Sequence, residues 1–375
     1  DFNESSPGMM FIEMASYVGD VLSYYVDDSL KESFMLYAED KKNVLALSEY
    51  LGYKPKVTSP AITKLAVYQL VPKIGNGDTI RPDSKYYLRI KEGMVVESTE
   101  GTSFRTTELV DFNVEDDREI TVYETDGLNQ PTKYLVKKFV NVISAELRTV
   151  EISFGTPQQF SKIDLAEDNI IDIYDVRDSN GNRWYKVPYL AQEMVYIDYA
   201  TSEQTDKDLL QFKDSVPNIL KVIKTSRRFT TRVNEDNTTT IVFGGGNQSN
   251  DETLIPNFKN VGLGLNNSID RLGASFDPSN FLKTKSYGQA PSNTTLTVSY
   301  LVGGGVTSNV QSGTITRIDN IEFDEDTSFF TTAEQSAYRE VQNSVACDNE
   351  EPATGGKGAD TVSYTHLRAH ETHEH

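Results

Sequence analysis

The stretch YLVGGGVTSNVQSGTI, residues 300–315, decides how this chain is interpreted. Three glycines, Gly303, Gly304 and Gly305, stand between two short apolar runs. A phosphate-binding loop requires a lysine after its glycines, in the pattern G-x-x-x-x-G-K-[ST]. The dinucleotide pattern G-x-G-x-x-G requires a glycine where Ser308 stands. Neither pattern is met, so the triplet predicts a structural hairpin whose glycines provide backbone freedom and close packing.

A second triplet, Gly244 to Gly246, follows the apolar run TIVF and precedes Asn247-Gln248. It also lacks the lysine and the serine or threonine of a phosphate loop. We therefore predict that both triplets are structural, and that the chain binds no nucleotide cofactor. The glycines and the asparagine of this predicted turn motif are Gly244, Gly246, Gly303, Gly304, Gly305, Asn309 and Gly313.

The charge of the chain limits its partners. Its 375 residues include 36 Lys and Arg and 56 Asp and Glu, which gives a formal net charge of −20. An acidic surface repels nucleic acid and anionic membranes. No apolar stretch approaches the roughly 18 residues that cross a bilayer. We therefore expect neither a nucleic-acid partner nor membrane insertion.

Residues 7–56 have the pattern of helices. Ser6 is a candidate N-cap before Pro7, and a second helix is predicted from about Asp40 to Leu51, where Gly52 ends it. The first helix carries two adjacent apolar stripes, which is typical of a helix that is buried on more than one side or of one that packs against another chain. The stripes are Met10, Met14, Tyr17, Val21 and Tyr25, and Phe11, Ala15, Val18 and Leu22. We predict a partner interface at Phe11, Met14, Val18, Leu22 and Tyr25.

After Pro55 the apolar residues alternate in short β-branched and aromatic runs, which predicts strands. Asn180-Gly181 predicts a hairpin turn between two of these runs. Residues 85–91 are predicted as a strand, residues 208–224 as a short helix or a loop, residues 244–293 as a long ordered loop, and residues 332–346 as a helix. The fold class is therefore α+β, with an N-terminal helical segment followed by mostly antiparallel β domains with long loops.

Catalytic chemistry finds little support in this sequence. All four histidines, His366, His370, His373 and His375, lie in the last twelve residues, 364–375, which we interpret as a non-native tail, with a metal site as the alternative. Without them, Cys347 and the serines have no imidazole base. Acidic runs such as Glu350-Glu351 are typical of solvated surfaces, and Asp178 to Asn182 fits a turn better than a calcium loop. We therefore expect no enzyme activity, no catalytic residues, no metal and no cofactor.

Four stretches, in order along the chain, resemble the baseplate J-like family, the baseplate wedge proteins of contractile-tailed (T-even-type) bacteriophages. Residues 7–55 resemble its N-terminal helical region, with a Pro-Gly start and a Leu-Gly-Tyr end. The other stretches are TTIVFGGG, VSYLVGGGVTSNVQSGTI and NEEPATGGKGAD. The matching positions there are Phe243, Gly244, Gly246, Tyr300, Gly303 to Gly305, Asn309, Val310, Gly313, Thr314, Ile315, Asn349, Pro352, Ala353, Gly355 and Gly356.

The resemblance implies a division of the chain and a role. It divides the chain into a helical assembly segment (1–56), a β-rich middle domain that we interpret as an insertion (57–224), a β-rich J-like core (225–345), the start of a truncated C-terminal arm (346–363) and the tail (364–375). It implies a structural subunit of the virion tail baseplate, assembled in the host cytoplasm, which joins wedges into a ring and helps relay the trigger for sheath contraction. The implied partners are a second copy and other wedge proteins. The alternative is a tail-borne or secreted carbohydrate-binding or glycan-cleaving β module, suggested by 20 Tyr and the single Trp184.

Overall fold

A computed structural model describes residues 7–115, 117–200, 216, 218–246, 287–324 and 330–374. Its helices are α1 (Pro7–Glu32), α2 (Lys41–Tyr50), α3 (Thr332–Asn343) and α4 (Val362–Glu374). Its strands are β1 (Ile62–Ile74), β2 (Arg81–Pro82), β3 (Arg89–Ile90), β4 (Val95–Ser98), β5 (Ser103–Thr106), β6 (Val110–Asp111), β7 (Arg118–Thr125), β8 (Pro131–Ile143), β9 (Ala145–Phe154), β10 (Lys162–Leu165), β11 (Ile170–Asp178), β12 (Arg183–Lys186), β13 (Met194–Ala200), β14 (Asn218–Lys224), β15 (Arg228–Val233), β16 (Thr239–Phe243), β17 (Thr294–Gly303), β18 (Ile315–Asn320) and β19 (Ala346–Asp348). The α+β expectation is confirmed.

The helical prediction for the N-terminal region is also confirmed. Asp40 caps α2 by accepting a hydrogen bond from the Lys42 N–H, and Gly52 ends it with a positive φ of 92°. Such a φ favours glycine because it has no Cβ to clash. Ser6, the predicted cap of α1, lies outside the described residues. The helix predicted over 332–346 is α3, which begins with a capping box between Thr331 and Glu334.

The first sheet has the strand order β18-β4-β5-β8-β1-β19, with β2 and β7 attached at its sides. Its centre is the antiparallel pair of β1 and β8, whose register runs from Ile62 opposite Ile143 to Pro72 opposite Lys133. Alternate side chains of these strands face one core, since successive strand residues point to opposite faces. That core includes Leu65, Val67, Phe104, Val136 and Ile315.

The second sheet has the order β10-β16-β15-β12-β11-β17-β9. All of its pairs are antiparallel except β12 with β15. It encloses a separate core around Trp184, Phe229, Phe243 and Leu296. The hairpin predicted at Asn180-Gly181 is confirmed, because β11 and β12 pair around it.

The two large sheets are not built from consecutive segments of the chain, whereas the predicted domains are consecutive segments. The boundary at 224/225 does not separate the two sheets, because β1, β2, β4, β5, β7 and β8 share a sheet with β18 and β19, whereas β9 to β12 share one with β15 to β17; β3 and β6 form a small sheet of their own. The chain therefore builds most of the first sheet, then the second, and returns to complete the first. The division into domains stays a prediction.

Two local predictions were wrong. Residues 85–91 form a strand only at Arg89–Ile90, because Asp83 accepts a hydrogen bond from the Lys85 N–H and caps a 3-10 turn at Ser84–Tyr86. Within residues 208–224, predicted as helix or loop, 218–224 form β14, which pairs with β13. The long loop predicted over 244–293 lies mostly outside the described residues.

Candidate assembly surface and glycine junction

The α1 surface, residues 7–32, is exposed along its whole length. None of its 26 residues is buried. The five predicted interface residues are the clearest cases, since large apolar side chains seldom form continuous exposed surfaces on monomers. Their exposed fractions are 72% for Phe11, 65% for Met14, 48% for Val18, 59% for Leu22 and 62% for Tyr25.

One carboxylate ties the end of α1 to the start of α2. Glu32 accepts hydrogen bonds from the Glu39 N–H (2.8 Å) and from the Asn43 side-chain amide (2.9 Å). These bonds, with that of Asn43 first, lower the pKa of Glu32. These bonds connect the C-terminal end of α1 to the loop before α2 and to the first turn of α2.

The glycine triplet at 303–305 does not form the predicted hairpin. Strand β17 before it belongs to the second sheet, and β18 after it belongs to the first. Residues 304–314 therefore cross from one sheet to the other. The hairpin expectation was wrong because two adjacent strand-forming runs need not pair with each other.

The crossing contacts two distant segments, and we call these contacts the glycine junction: residues 58–60, 303–315 and 349–357. Gly304 has a φ of 75°, and a Cβ there would lie 2.6 Å from the Ser59 carbonyl oxygen. Thr58 donates its hydroxyl hydrogen to the Gly303 carbonyl (3.1 Å). Only glycine satisfies both the positive φ and the close approach at position 304.

Asn349 is the polar centre of the glycine junction and is fully buried. Its side-chain oxygen accepts hydrogen bonds from the backbone N–H groups of Thr314 (3.0 Å) and Ile315 (2.8 Å). Its side-chain NH₂ donates to the carbonyls of Gln311 and Glu351, both at 2.9 Å. All four hydrogen-bonding positions of the amide are used, which makes burial of this polar group favourable.

The backbone N–H groups of the triplet are not arranged to bind a phosphate. The Gly303 N–H donates to the Asn169 carbonyl (3.1 Å), and the Gly305 N–H donates to the Ser59 carbonyl (3.2 Å). A phosphate site needs several free N–H groups that converge on one point. Here protein carbonyls already occupy two of them.

The second glycine triplet packs against another backbone segment. A Cβ on Gly244 would lie 2.2 Å from the Tyr287 carbonyl oxygen, and Gly245 lies against the Phe160 ring. The Gly246 N–H donates to the Gly288 carbonyl at 2.9 Å. This triplet therefore holds the end of β16 against residues 287–290.

The sequence patterns identified Asn309, Gly313 and Asn349. They did not identify Thr58 and Ser59, which contact Gly303 and Gly304. No local pattern marks those two residues. The junction brings together matching positions from two of the four family-like stretches, residues 300–315 and 349–356.

Asp178, Trp184 and Cys347 were considered above for calcium binding, sugar binding and nucleophilic chemistry. Each is buried or held by contacts within the protein. The Asp178 carboxylate accepts hydrogen bonds from the N–H groups of Asn180 (3.0 Å) and Asn182 (2.9 Å), within the predicted turn. Trp184 is 2% exposed and lies edge-on to Phe243, so it offers no surface on which a sugar could stack. Burial raises the pKa of the Cys347 thiol to about 12.

The C-terminal segment interpreted as a tail forms most of α4, which packs on α2. Thr365 and Ala369 are buried there, and the Tyr53 hydroxyl donates to Asp360 just before the helix (2.8 Å). The origin of residues 364–375 stays a prediction. Among the described residues, no group of three or more His, Cys, Asp and Glu side chains is placed to hold a metal ion.

No described helix combines the length and apolarity needed to traverse a bilayer. No family model matches the chain, and no curated protein matches it. Among solved structures, the chain matches one from the type VI secretion system TssK-TssF-TssG baseplate subcomplex, determined by cryo-electron microscopy. That match covers 98% of this chain and 77% of the other, with 9% sequence identity and a TM-score of 0.28. At this TM-score the similarity carries no argument about fold or function.

Proposed function

We propose that this chain is a structural subunit of a phage-type tail baseplate, and that α1 is the surface through which it joins its neighbours. The subunit helps to join wedges into the baseplate ring and to relay the trigger for sheath contraction. Its partners are other wedge proteins and a second copy of itself.

The exposed α1 surface is the observation that carries this proposal. At about 1.5 Å per residue, 26 residues make a helix about 39 Å long. Burying a large apolar side chain contributes about 1.5–3 kcal/mol. For the five interface residues together this amounts to about 7.5–15 kcal/mol, of the same order as the roughly 4–15 kcal/mol entropy cost of association, so the α1 surface can supply a large share of a partner's binding free energy.

The stretches that resemble the baseplate J-like family are the reason for proposing a phage-type baseplate subunit in particular. The residues that match in 300–315 and 349–356 contact one another across the glycine junction. A structural role for these residues fits an assembly protein, because their hydrogen bonds hold segments together and leave no reactive group exposed. Trp184, on which the glycan-binding alternative partly rests, is buried.

The test compares two substitutions that add one carboxylate each to α1. Val18→Asp places it on the apolar surface, whereas Ser16→Asp, the control, places it on the opposite side of the same helix. Tagged full chains would be incubated with lysate of phage-infected cells, and captured proteins would be identified by mass spectrometry. Circular dichroism would verify that both variants stay folded.

We expect wild type and S16D to recover tail-baseplate proteins, and V18D to lose them by at least about tenfold, which corresponds to 1.4 kcal/mol. Recovery of the same baseplate proteins by folded V18D would contradict the use of α1. Recovery of host envelope proteins alone would contradict the baseplate role.

A further inference from the structure

A cleft of about 870 Å³ lies between α2, the segment 54–62 and the second sheet. Its walls are mainly apolar, with Leu45 and Ala46 from α2, Val57 and Ile62 from the connecting segment, and Ile171 and Val233 from the sheet. None of the residues that line it comes from α1. Within the described residues, α1 therefore presents an exposed apolar surface that takes no part in forming this apolar cleft.

The rim of this cleft is positively charged, although the chain is acidic. Lys42, Lys54, Lys56, Lys186 and Arg232 line it, against Glu49, Asp172 and Glu235. Arg232 pairs with Glu49, and Lys186 pairs with Asp172. In the part of the chain that the structure describes, Lys42, Lys54 and Lys56 have no carboxylate within ion-pair distance.

The hydrogen-bond partners and the pKa of Lys54 both show this excess of positive charge. Its ammonium group donates to the Pro188 carbonyl (2.8 Å) and to the Thr230 hydroxyl (3.2 Å), which are neutral partners. Burial lowers its pKa, and Lys186 and Arg232 lower it further, against the opposite effect of Glu49. A carboxylate that entered the cleft would therefore be attracted to this rim.

The α1 surface has the complementary pattern. Glu13, Asp20 and Asp27 recur every seven residues and so follow one side of the helix. Glu13 lies three residues after Met10 and four before Tyr17, which places it beside the first apolar stripe. The apolar residues of α1 therefore complement the apolar walls of the cleft, and the adjacent carboxylates of α1 complement the lysines at the rim of the cleft.

We infer that this cleft receives α1 from a second copy of the chain, with the stripe of Met10, Tyr17 and Val21 against its walls and the carboxylates of Glu13 and Asp20 against its lysines. This inference rests on the proposed use of α1 for assembly. It leaves the other stripe, which contains Val18, for a different partner.

The symmetry of this contact determines which assembly it produces. If two copies exchange helices reciprocally, the contact closes on itself and gives a dimer. If each copy gives its helix to a third, the same contact gives an open chain or a ring. Both arrangements use one and the same pair of surfaces.

A charge-reversal experiment tests the pairing. One full-length variant carries Lys42→Glu and Lys56→Glu in the cleft, at exposed positions. The other carries Glu13→Lys and Asp20→Lys on α1. The control, Lys91→Glu with Lys133→Glu, reverses two exposed lysines outside the cleft, one directly after β3 and one in β8. Self-association would be measured by sedimentation velocity for each variant alone and for the first two mixed in equal amounts.

We expect each of the first two variants alone to associate at least about tenfold more weakly than wild type, because like charges then face each other. Their mixture is expected to associate within about threefold of wild type, since each cleft then meets a helix of opposite charge. The control is expected to associate like wild type.

Unchanged association of the cleft variant, or no recovery in the mixture, would overturn the inference. If V18D also loses baseplate proteins while the cleft variant behaves like wild type, α1 binds elsewhere and the proposed function stands without this contact. If wild type is monomeric at tens of micromolar, the inference fails as well, whatever proteins α1 recovers from lysate.

Discussion

The side chain of Asn309 pairs with the backbone of Gly356 as a second strand would. Its NH₂ donates to the Gly356 carbonyl at 3.0 Å, and its oxygen accepts from the Gly356 N–H at 2.8 Å. The two residues are 47 positions apart. This reciprocal pair holds the crossing between the sheets against the C-terminal segment.

Replacing Gly356 should disrupt this contact. A Cβ at position 356 would lie 2.4 Å from the Gly305 carbonyl oxygen and 2.5 Å from the Ser308 hydroxyl. We expect Gly356→Ala to lower the free energy of unfolding by about 2–3 kcal/mol, measured by urea denaturation. Gly358→Ala, whose Cβ meets no atom within 4 Å, is the control and should change it by less than about 0.5 kcal/mol. Equal effects of the two substitutions would contradict the close approach.

Asn349 and Asn309 allow the same substitution to be compared at buried and exposed sites. Asn349→Asp removes the NH₂ that serves the Gln311 and Glu351 carbonyls, and it buries a carboxylate. We expect it to destabilise the chain by about 3 kcal/mol, against about 1 kcal/mol for Asn309→Asp, whose site is exposed to water. Thermal unfolding of both variants measures the difference. A larger loss at Asn309 would mean that Asn349 is not the polar centre of the junction.

Glu334 should make the stability of the α3 region depend on acid pH. The bond from Lys85, followed by those from the Thr331 N–H and hydroxyl, lowers the pKa of Glu334 to about 2. A lowered folded-state pKa gives stability that is present above the unfolded value of about 4.3 and lost as the pH falls toward 2. Wild type should therefore exceed Glu334→Gln in melting temperature at pH 7, with the difference shrinking from about pH 5 to pH 2. A difference that stays constant over this range would refute the assignment.

Cys347 should resist alkylation in the folded chain. Burial raises its pKa to about 12, so at pH 8 its thiolate is rarer than that of a free cysteine by roughly three orders of magnitude. It is the single cysteine of the chain, so the mass added by iodoacetamide reports on this site alone. We expect slow labelling in buffer and rapid labelling in denaturant. Labelling in buffer at the rate of a free thiol would show that β19 opens readily.

Trp184 gives a direct test of the glycan-binding alternative. Because this single tryptophan is 2% exposed, its fluorescence should be blue-shifted relative to the unfolded chain and poorly quenched by acrylamide. Oligosaccharides should leave the emission spectrum unchanged. A saturable spectral change on adding an oligosaccharide would favour a carbohydrate site near the second core.

Sequence patterns were sufficient where structure depends on near neighbours. The spacing of Met10, Met14 and Tyr17 predicted α1, and Asn180-Gly181 predicted the turn between β11 and β12, because helix faces and tight turns are set by residues a few positions apart. The same local reasoning failed at residues 85–91, where an Asp83 cap outweighed the aromatic alternation.

Other features were decided only by the tertiary structure. Local patterns predict that β17 and β18 are strands, but which sheet each joins depends on the burial of two whole cores. The contacts of Gly304 with Ser59 and of Asn309 with Gly356, and the cluster of lysines around the cleft, join residues tens to more than two hundred positions apart. Periodicity and turn chemistry carry no information on such pairs, because chain folding brings them together through the combined packing of both sheets.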